Sequence, residues 1–167
     1  GKGVERLRNA GIEVVTDILN HECRQLIAPF AKHVTSRLPY VVLKSAMTLD
    51  GQTATLPGDS KWISCEASRN LVHQLRNQVD AIMVGSGTVV ADNPKLTTRL
   101  AEGGRDPVRI VMDGSLRTSP DALVYTQSSK AQTLLVTSET HTEADLRPYR
   151  DVGTDILLVG QIVGTLD

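Results

Sequence analysis

Five short β-prone runs, spaced along the chain with helical stretches between them, leave few architectures open. They are Tyr40–Met47, Asp80–Gly85, Val108–Asp113, Thr133–Thr137 and Asp155–Val159. Most are continuously apolar or β-branched rather than alternating, which suits strands buried on both faces. Before the second run, Ser64 reads as the N-cap of a helix whose first turn carries Glu66, where a carboxylate complements the helix dipole. Leu71, Val72, Leu75 and Val79 supply that helix with a buried stripe. Strands alternating with helices make an α/β fold, a mostly parallel sheet flanked by helices. After its last run the chain continues only eight residues, to Asp167, with no helix to cover that strand, so the sheet reads as incomplete at the C-terminus.

Upstream, Gly1–Val14 reads as a short helix, a turn at Gly11, where a C-terminal cap belongs, and then a strand. A second helix is expected over Glu22–His33, from Leu26, Ile27, Phe30 and Val34. Pro29 inside it should kink it or move its start. The polar Thr35-Ser36-Arg37 and then Pro39 make a joint, which divides the chain into residues 1–36 and 37–167.

Charge narrows the choice of partners. Eighteen basic and 19 acidic residues leave a net charge of −1, which calls for neither nucleic acid nor an anionic membrane. No apolar run is long enough to span a bilayer, and no secretory leader opens the sequence, so a cytoplasmic location is expected. Cys23 and Cys65 are far apart and read as idle thiols rather than a disulfide. His21 lies near Cys23, but nothing completes a zinc set, so no metal is expected.

The residues with chemistry cluster past strand ends. Gly85-Ser86-Gly87 follows a strand, where small residues let a ligand approach the backbone. Val90 stands where a dinucleotide fingerprint needs its third glycine, so taken alone the turn reads more readily as an ordinary loop. Asp92-Asn93-Pro94-Lys95-Leu96-Thr97 and Arg99 form a polar loop at a place where open α/β sheets bind ligands, or else a solvated turn. Trp62, the only tryptophan, is either a core anchor or a flat wall for a cofactor ring. Arg69 and Arg76, seven apart on one helix, form a solvated stripe or a phosphate clamp. Lys44 interrupts an apolar run, so it faces outward from an edge strand or points into a site that supplies a partner.

Taken in order, the blocks Leu43–Gly51, Ser60–Ser64, Asp80–Thr88, Ala91–Thr97 and Arg109–Asp113 resemble the reductase domain of the bifunctional riboflavin-biosynthesis deaminase/reductases. Gly1-x-Gly3 and Ala10–Val14 resemble the tail of the deaminase domain in that family. The deaminase's zinc set, a His-x-Glu combined with a Pro-Cys-x-x-Cys pair, does not occur in the sequence. The resemblance implies a dihydrofolate-reductase-like fold and reduction of 5-amino-6-(5-phosphoribosylamino)uracil to the ribitylamino compound by NADPH. Position by position it implies substrate contacts at Ser60, Arg76, Leu96 and Arg99, with the arginines on the phosphate. It places Lys44 beside the ribose being reduced, in a catalytic role, and cofactor contacts at Ala46, Trp62, Thr88, Asp92 and Gly114. It further implies a homodimer. The family's late acidic substrate contact and its Gly-rich pyrophosphate loop would fall beyond Asp167. That leaves a second reading, an inactive fragment or phosphate-ligand binding module of the same fold. A dihydrofolate reductase proper is disfavoured by the Ser60-Lys61-Trp62 and Asp92-Asn93-Pro94 blocks.

Overall fold

Every chain crossing between neighbouring strands moves in the same direction across the sheet, and that one fact sets the architecture. The computed structural model describes residues 2–56, 58, 60 and 62–160. They divide into two units, residues 1–46 and 47–167, each with its own contacts.

The first unit is helical. Helix α1 spans Lys2–Asn9 and ends before Gly11, whose φ of 79° only glycine adopts freely. Two helices follow rather than one, α2 at Asn20–Leu26 and α3 at Ala28–Ser36. Pro29 has no N–H to continue a ladder from α2 but fits the first turn of a new helix, so the break falls at Ile27. The expected strands at Ile12–Val14 and Tyr40–Met47 are not formed. β-propensity alone does not hold a strand; it needs a ladder partner, and among the described residues neither segment has one.

The second unit holds helix α4 (Glu66–Gln78), strand β1 (Ala81–Gly85), helix α5 (Ser86–Asp92), strand β2 (Val108–Met112), helix α6 (Leu123–Thr126), strand β3 (Thr133–Ser138), helix α7 (Glu143–Asp151) and strand β4 (Asp155–Val159). The sheet is wholly parallel, in the order β1-β2-β3-β4. Right-handed crossovers that all step the same way put their helices on one face. Register aligns Val84, Val111, Leu135 and Ile156 across that face, and Val89 of α5, Tyr125 of α6 and Tyr149 of α7 close over them. Val111 and Leu135 are fully buried; each such side chain contributes roughly 1.5–3 kcal/mol. The opposite face leaves Met83 62% and Leu157 49% exposed, which corrects the expectation of burial on both faces.

Two details of α4 also differ from the sequence reading. Cys65, not Ser64, is its N-cap, one residue later than expected, and no side chain caps it. Its apolar stripe is not buried: Leu71 is 57% exposed and Val72, Leu75 and Val79 are only half-buried. His73, Arg76 and Asn77 of α4 are half-buried to the same degree, and these polar residues belong to the site.

Candidate functional site

The carboxyl ends of β1, β2 and β3 lie side by side, and the segment leaving each strand builds one edge of the site. After β1 there is no loop. Gly85 is the N-cap and α5 begins at Ser86, so the Gly-Ser-Gly segment is the start of a helix. A Cβ added at Gly85, Gly87 or Gly114 would meet nothing within 4 Å. Gly85 has a φ of −81°, and neither Gly87 nor Gly114 is in the left-handed region. Neither backbone strain nor internal packing requires glycine at these three positions; the space beside them is open to a ligand. Thr88 and Asp92 stand one turn apart on α5, both exposed, which puts the two expected cofactor contacts on one helical face.

After β2, the buried carboxylate of Asp113 winds up the next loop. It accepts from the Arg117 N–H at 3.0 Å and from both the N–H and the hydroxyl of Thr118 at 2.8 Å. Having spent its one proton on Asp113, the Thr118 hydroxyl accepts from the Tyr125 hydroxyl at 2.9 Å. Burial pushes the Tyr125 phenol up to about 12, so it remains a donor. The Tyr149 hydroxyl donates to the Thr118 carbonyl and ties the loop to α7. After β3, the His141 ring reaches back to the Gly114 carbonyl at 2.9 Å.

A second locus lies where α4 meets the loop 97–105. Arg76 donates to the Thr97 carbonyl at 3.2 Å. One turn earlier, His73 Nδ1 accepts the backbone N–H of Arg99 at 3.2 Å, and Asn77 Oδ1 accepts that of Arg105 at 2.7 Å. Burial, then the neighbouring Arg99, lowers the Arg76 guanidinium from its ordinary value. Its Nε is buried with no hydrogen-bond partner. No carboxylate pairs with Arg76 or Arg99 among the described residues. A half-buried guanidinium with an unmet N–H, a second arginine close enough to repel it and an imidazole between them form a place prepared for an anion.

His73 does not stand out in the sequence. Its signal is there, since it lies four residues after Arg69 and three before Arg76 on α4. Its pKa is held below the ordinary imidazole value, by burial first and then by Arg76 and Arg99. The folded chain therefore binds fewer protons than the unfolded chain around that value, and stability should fall as pH drops through the ordinary imidazole range. By NMR titration we expect His73 to have a midpoint below that of a model imidazole, moving upward when inorganic phosphate is added. A midpoint at or above the ordinary value, insensitive to phosphate, would contradict an anion site here.

The residues that the sequence does single out divide clearly. The Trp62 indole is 71% exposed, so it is no core anchor. The Arg69 guanidinium lies 4.5 Å above its ring centroid, an aromatic face kept in place at the start of α4. Arg69 also donates to the Ser64 carbonyl, so it is tied locally while Arg76 is not. Ser60 is half-buried on the segment before Trp62. Leu96 is 5% exposed and packs in the core, with a φ of 58°. A side chain so placed leaves only its backbone for a ligand, and the left-handed conformation is a strain that the surrounding loop must hold. Lys44 is exposed and Ala46 half-buried, both in the irregular end of the first unit. Cys23 and Cys65 are free and exposed. Among the described residues no cluster of three or more His, Cys, Asp or Glu has the arrangement to hold a metal. No described helix is long and apolar enough to cross a membrane.

Comparison with known proteins gives a consistent picture. The family described as "RibD C-terminal domain" matches residues 39–163. The riboflavin biosynthesis protein RibD of Aquifex aeolicus is 40% identical over 159 residues, which is 95% of this chain and 44% of that protein. The RibD of Actinobacillus pleuropneumoniae is 41% identical over 95% of this chain and 42% of its own length. Among solved structures, the Thermotoga maritima diaminohydroxyphosphoribosylaminopyrimidine deaminase/5-amino-6-(5-phosphoribosylamino)uracil reductase superposes with a TM-score of 0.76 at 41% identity, covering 95% of this chain and 43% of that one. RibD of Acinetobacter baumannii follows with a TM-score of 0.72 at 31% identity, over 97% of this chain and 45% of that one. The chain thus spans less than half the length of the relatives it matches, and its fold is the dihydrofolate-reductase-like one of their reductase domains.

Proposed function

The chain belongs to the RibD C-terminal domain family, and from that premise we propose that it serves reduction of 5-amino-6-(5-phosphoribosylamino)uracil by NADPH. The observation that carries this reading is the anion locus: Arg76 with its unpartnered buried Nε, beside Arg99 and His73. A phosphate dianion would satisfy the Nε, offset the repulsion between the arginines and hold the far end of a sugar phosphate. Binding energy from such a remote group positions the reacting carbon. Ser60 and the Leu96 backbone would complete the substrate contacts, in keeping with the family resemblance.

The residues at the sheet edge fit a dinucleotide. The open space beside Gly85, Gly87 and Gly114 admits a backbone-hugging ligand, and the exposed Trp62 face suits a planar ring. Thr88 and Asp92 offer a hydroxyl and a carboxylate from one helical face. NADPH supplies the hydride when bound; the protein's part is to hold and orient. Lys44 and Ala46 receive their roles from the resemblance, Lys44 steadying the oxygen or nitrogen beside the reduced carbon and Ala46 contacting the cofactor.

We further read residues 1–36 as the tail and linker of a preceding deaminase domain and 37–167 as reductase, which the family match from residue 39 supports. The same reading gives a cytoplasmic homodimer.

Since Trp62 is the only indole, NADPH binding can be followed by its fluorescence. Saturable quenching is expected, either in this chain or in one extended by the residues that come after the matched region in its relatives. Absence of quenching in both would overturn the cofactor assignment.

A further inference from the structure

We propose that His141 is a positioning residue for the cofactor, setting the Gly114–Ser115 peptide so that its N–H faces a phosphate oxygen; this rests on the NADPH reading above. Four observations lead there. Asp113 pins the loop after β2 at Arg117 and Thr118, and the Leu116 N–H returns to the Asp113 carbonyl at 3.4 Å. None of those bonds touches Gly114 or Ser115. Among the described residues, the one bond that does is from His141 to the Gly114 carbonyl, at 2.9 Å. Among the described residues no acceptor meets the Ser115 N–H.

The carbonyl of Gly114 and the N–H of Ser115 belong to one planar trans peptide, so they point in opposite directions. His141 follows β3, on one side of β2, and draws the carbonyl that way. The N–H is then turned toward the β1 side, where Gly85 and Gly87 leave open space. The imidazole is itself well founded. It immediately precedes Thr142, the N-cap of α7, which exchanges a reciprocal pair of bonds with Asp145. The acceptor at Gly114 requires Nε2 to carry a proton, which the neutral and the charged imidazole both provide. A glycine with no Cβ beside it and a donor with no partner thus share one peptide, and a side chain from the next strand holds its orientation.

The role is separable from the fold and from substrate binding. His141→Ala is expected to weaken NADPH binding about 10-fold, roughly one hydrogen bond to a charged group, with little change in affinity for the phosphorylated substrate. His141→Gln, whose amide can donate to the same carbonyl, should recover most of the loss. In the wild type the Ser115 amide proton should shift downfield when NADPH is added. That shift should be lost in the alanine variant and regained with glutamine. If the alanine variant fails to fold, the glutamine variant and the wild-type amide shift decide the matter. Unchanged NADPH affinity in His141→Ala, equal weakening in both variants, or a Ser115 amide indifferent to NADPH would overturn the positioning role while leaving the cofactor reading intact. Absence of NADPH binding in both the wild-type chain and its extended form would overturn the positioning role and the cofactor reading together.

Discussion

Replacing Arg76 with alanine is expected to weaken binding of the phosphorylated substrate by roughly 2–4 kcal/mol, or about 30- to 1000-fold, the range for removing one partner of a desolvated charge pair. Arg76 carries this effect rather than Arg99 because it is half-buried and holds an Nε with no partner, whereas Arg99 is exposed. Arg76→Lys should restore only part of the loss, since an ammonium keeps the charge but not the planar array of donors. The ligand-free protein should respond quite differently. Arg76 is repelled by Arg99 and contributes one bond, to the Thr97 carbonyl, so its removal should cost little folding stability. Isothermal titration with the substrate and with its dephosphorylated analogue separates these effects. Loss of affinity for the phosphorylated form alone supports the clamp. Equal loss for both would mean that Arg76 shapes the loop 97–105 and does not bind phosphate.

Asp113→Ala is expected to destabilise the fold by about 3 kcal/mol, because three donors lose their acceptor in a buried place. The damage should spread, since Thr118 also takes the Tyr125 hydroxyl and its carbonyl takes that of Tyr149. Asp113→Asn should fall between wild type and alanine. Its amide oxygen replaces only one of the two carboxylate oxygens, while its NH2 group must face whatever donated to the other. Denaturant titration measures the effect directly, and a loss under about 1 kcal/mol would show that water replaces the carboxylate. The ring-on-edge pair of Tyr125 and Tyr149, with centroids 5.4 Å apart, lies in the same network. A change in near-ultraviolet dichroism should therefore accompany the loss of stability.

Much of the fold is legible in the sequence. The four strands of the sheet fall where short apolar, β-branched runs place them, although only one face of the sheet is covered. The Pro29 break and the Gly11 stop are equally local, set by a missing N–H and by a positive φ. The Tyr40–Met47 run reads as a strand on the same composition and is not one, since a ladder needs a partner that composition does not specify. The buried stripe expected on α4 fails for a related reason. Periodicity shows which residues share a helix face, not whether another element will lie against it. His73 escapes a reading of the sequence because an imidazole on a mixed face carries no message until Arg76 and Arg99 stand beside it.

Local sequence placed the four strands of the sheet and with them the parallel α/β class, and five ordered blocks pointed to the family to which the residues belong. Those properties depend on local chemistry, on side-chain size, branching and backbone freedom, all of which can be read along the chain. Tertiary structure alone decided which face of the sheet is covered, since that depends on the direction of the crossovers. It also decided which donors remain unmet. The Arg76 Nε and the Ser115 N–H are defined by what fails to approach them, and the partners that could have done so come from segments well separated along the chain. Hydrogen-bond satisfaction is a property of the whole packed molecule, and that is why the candidate site became visible only there.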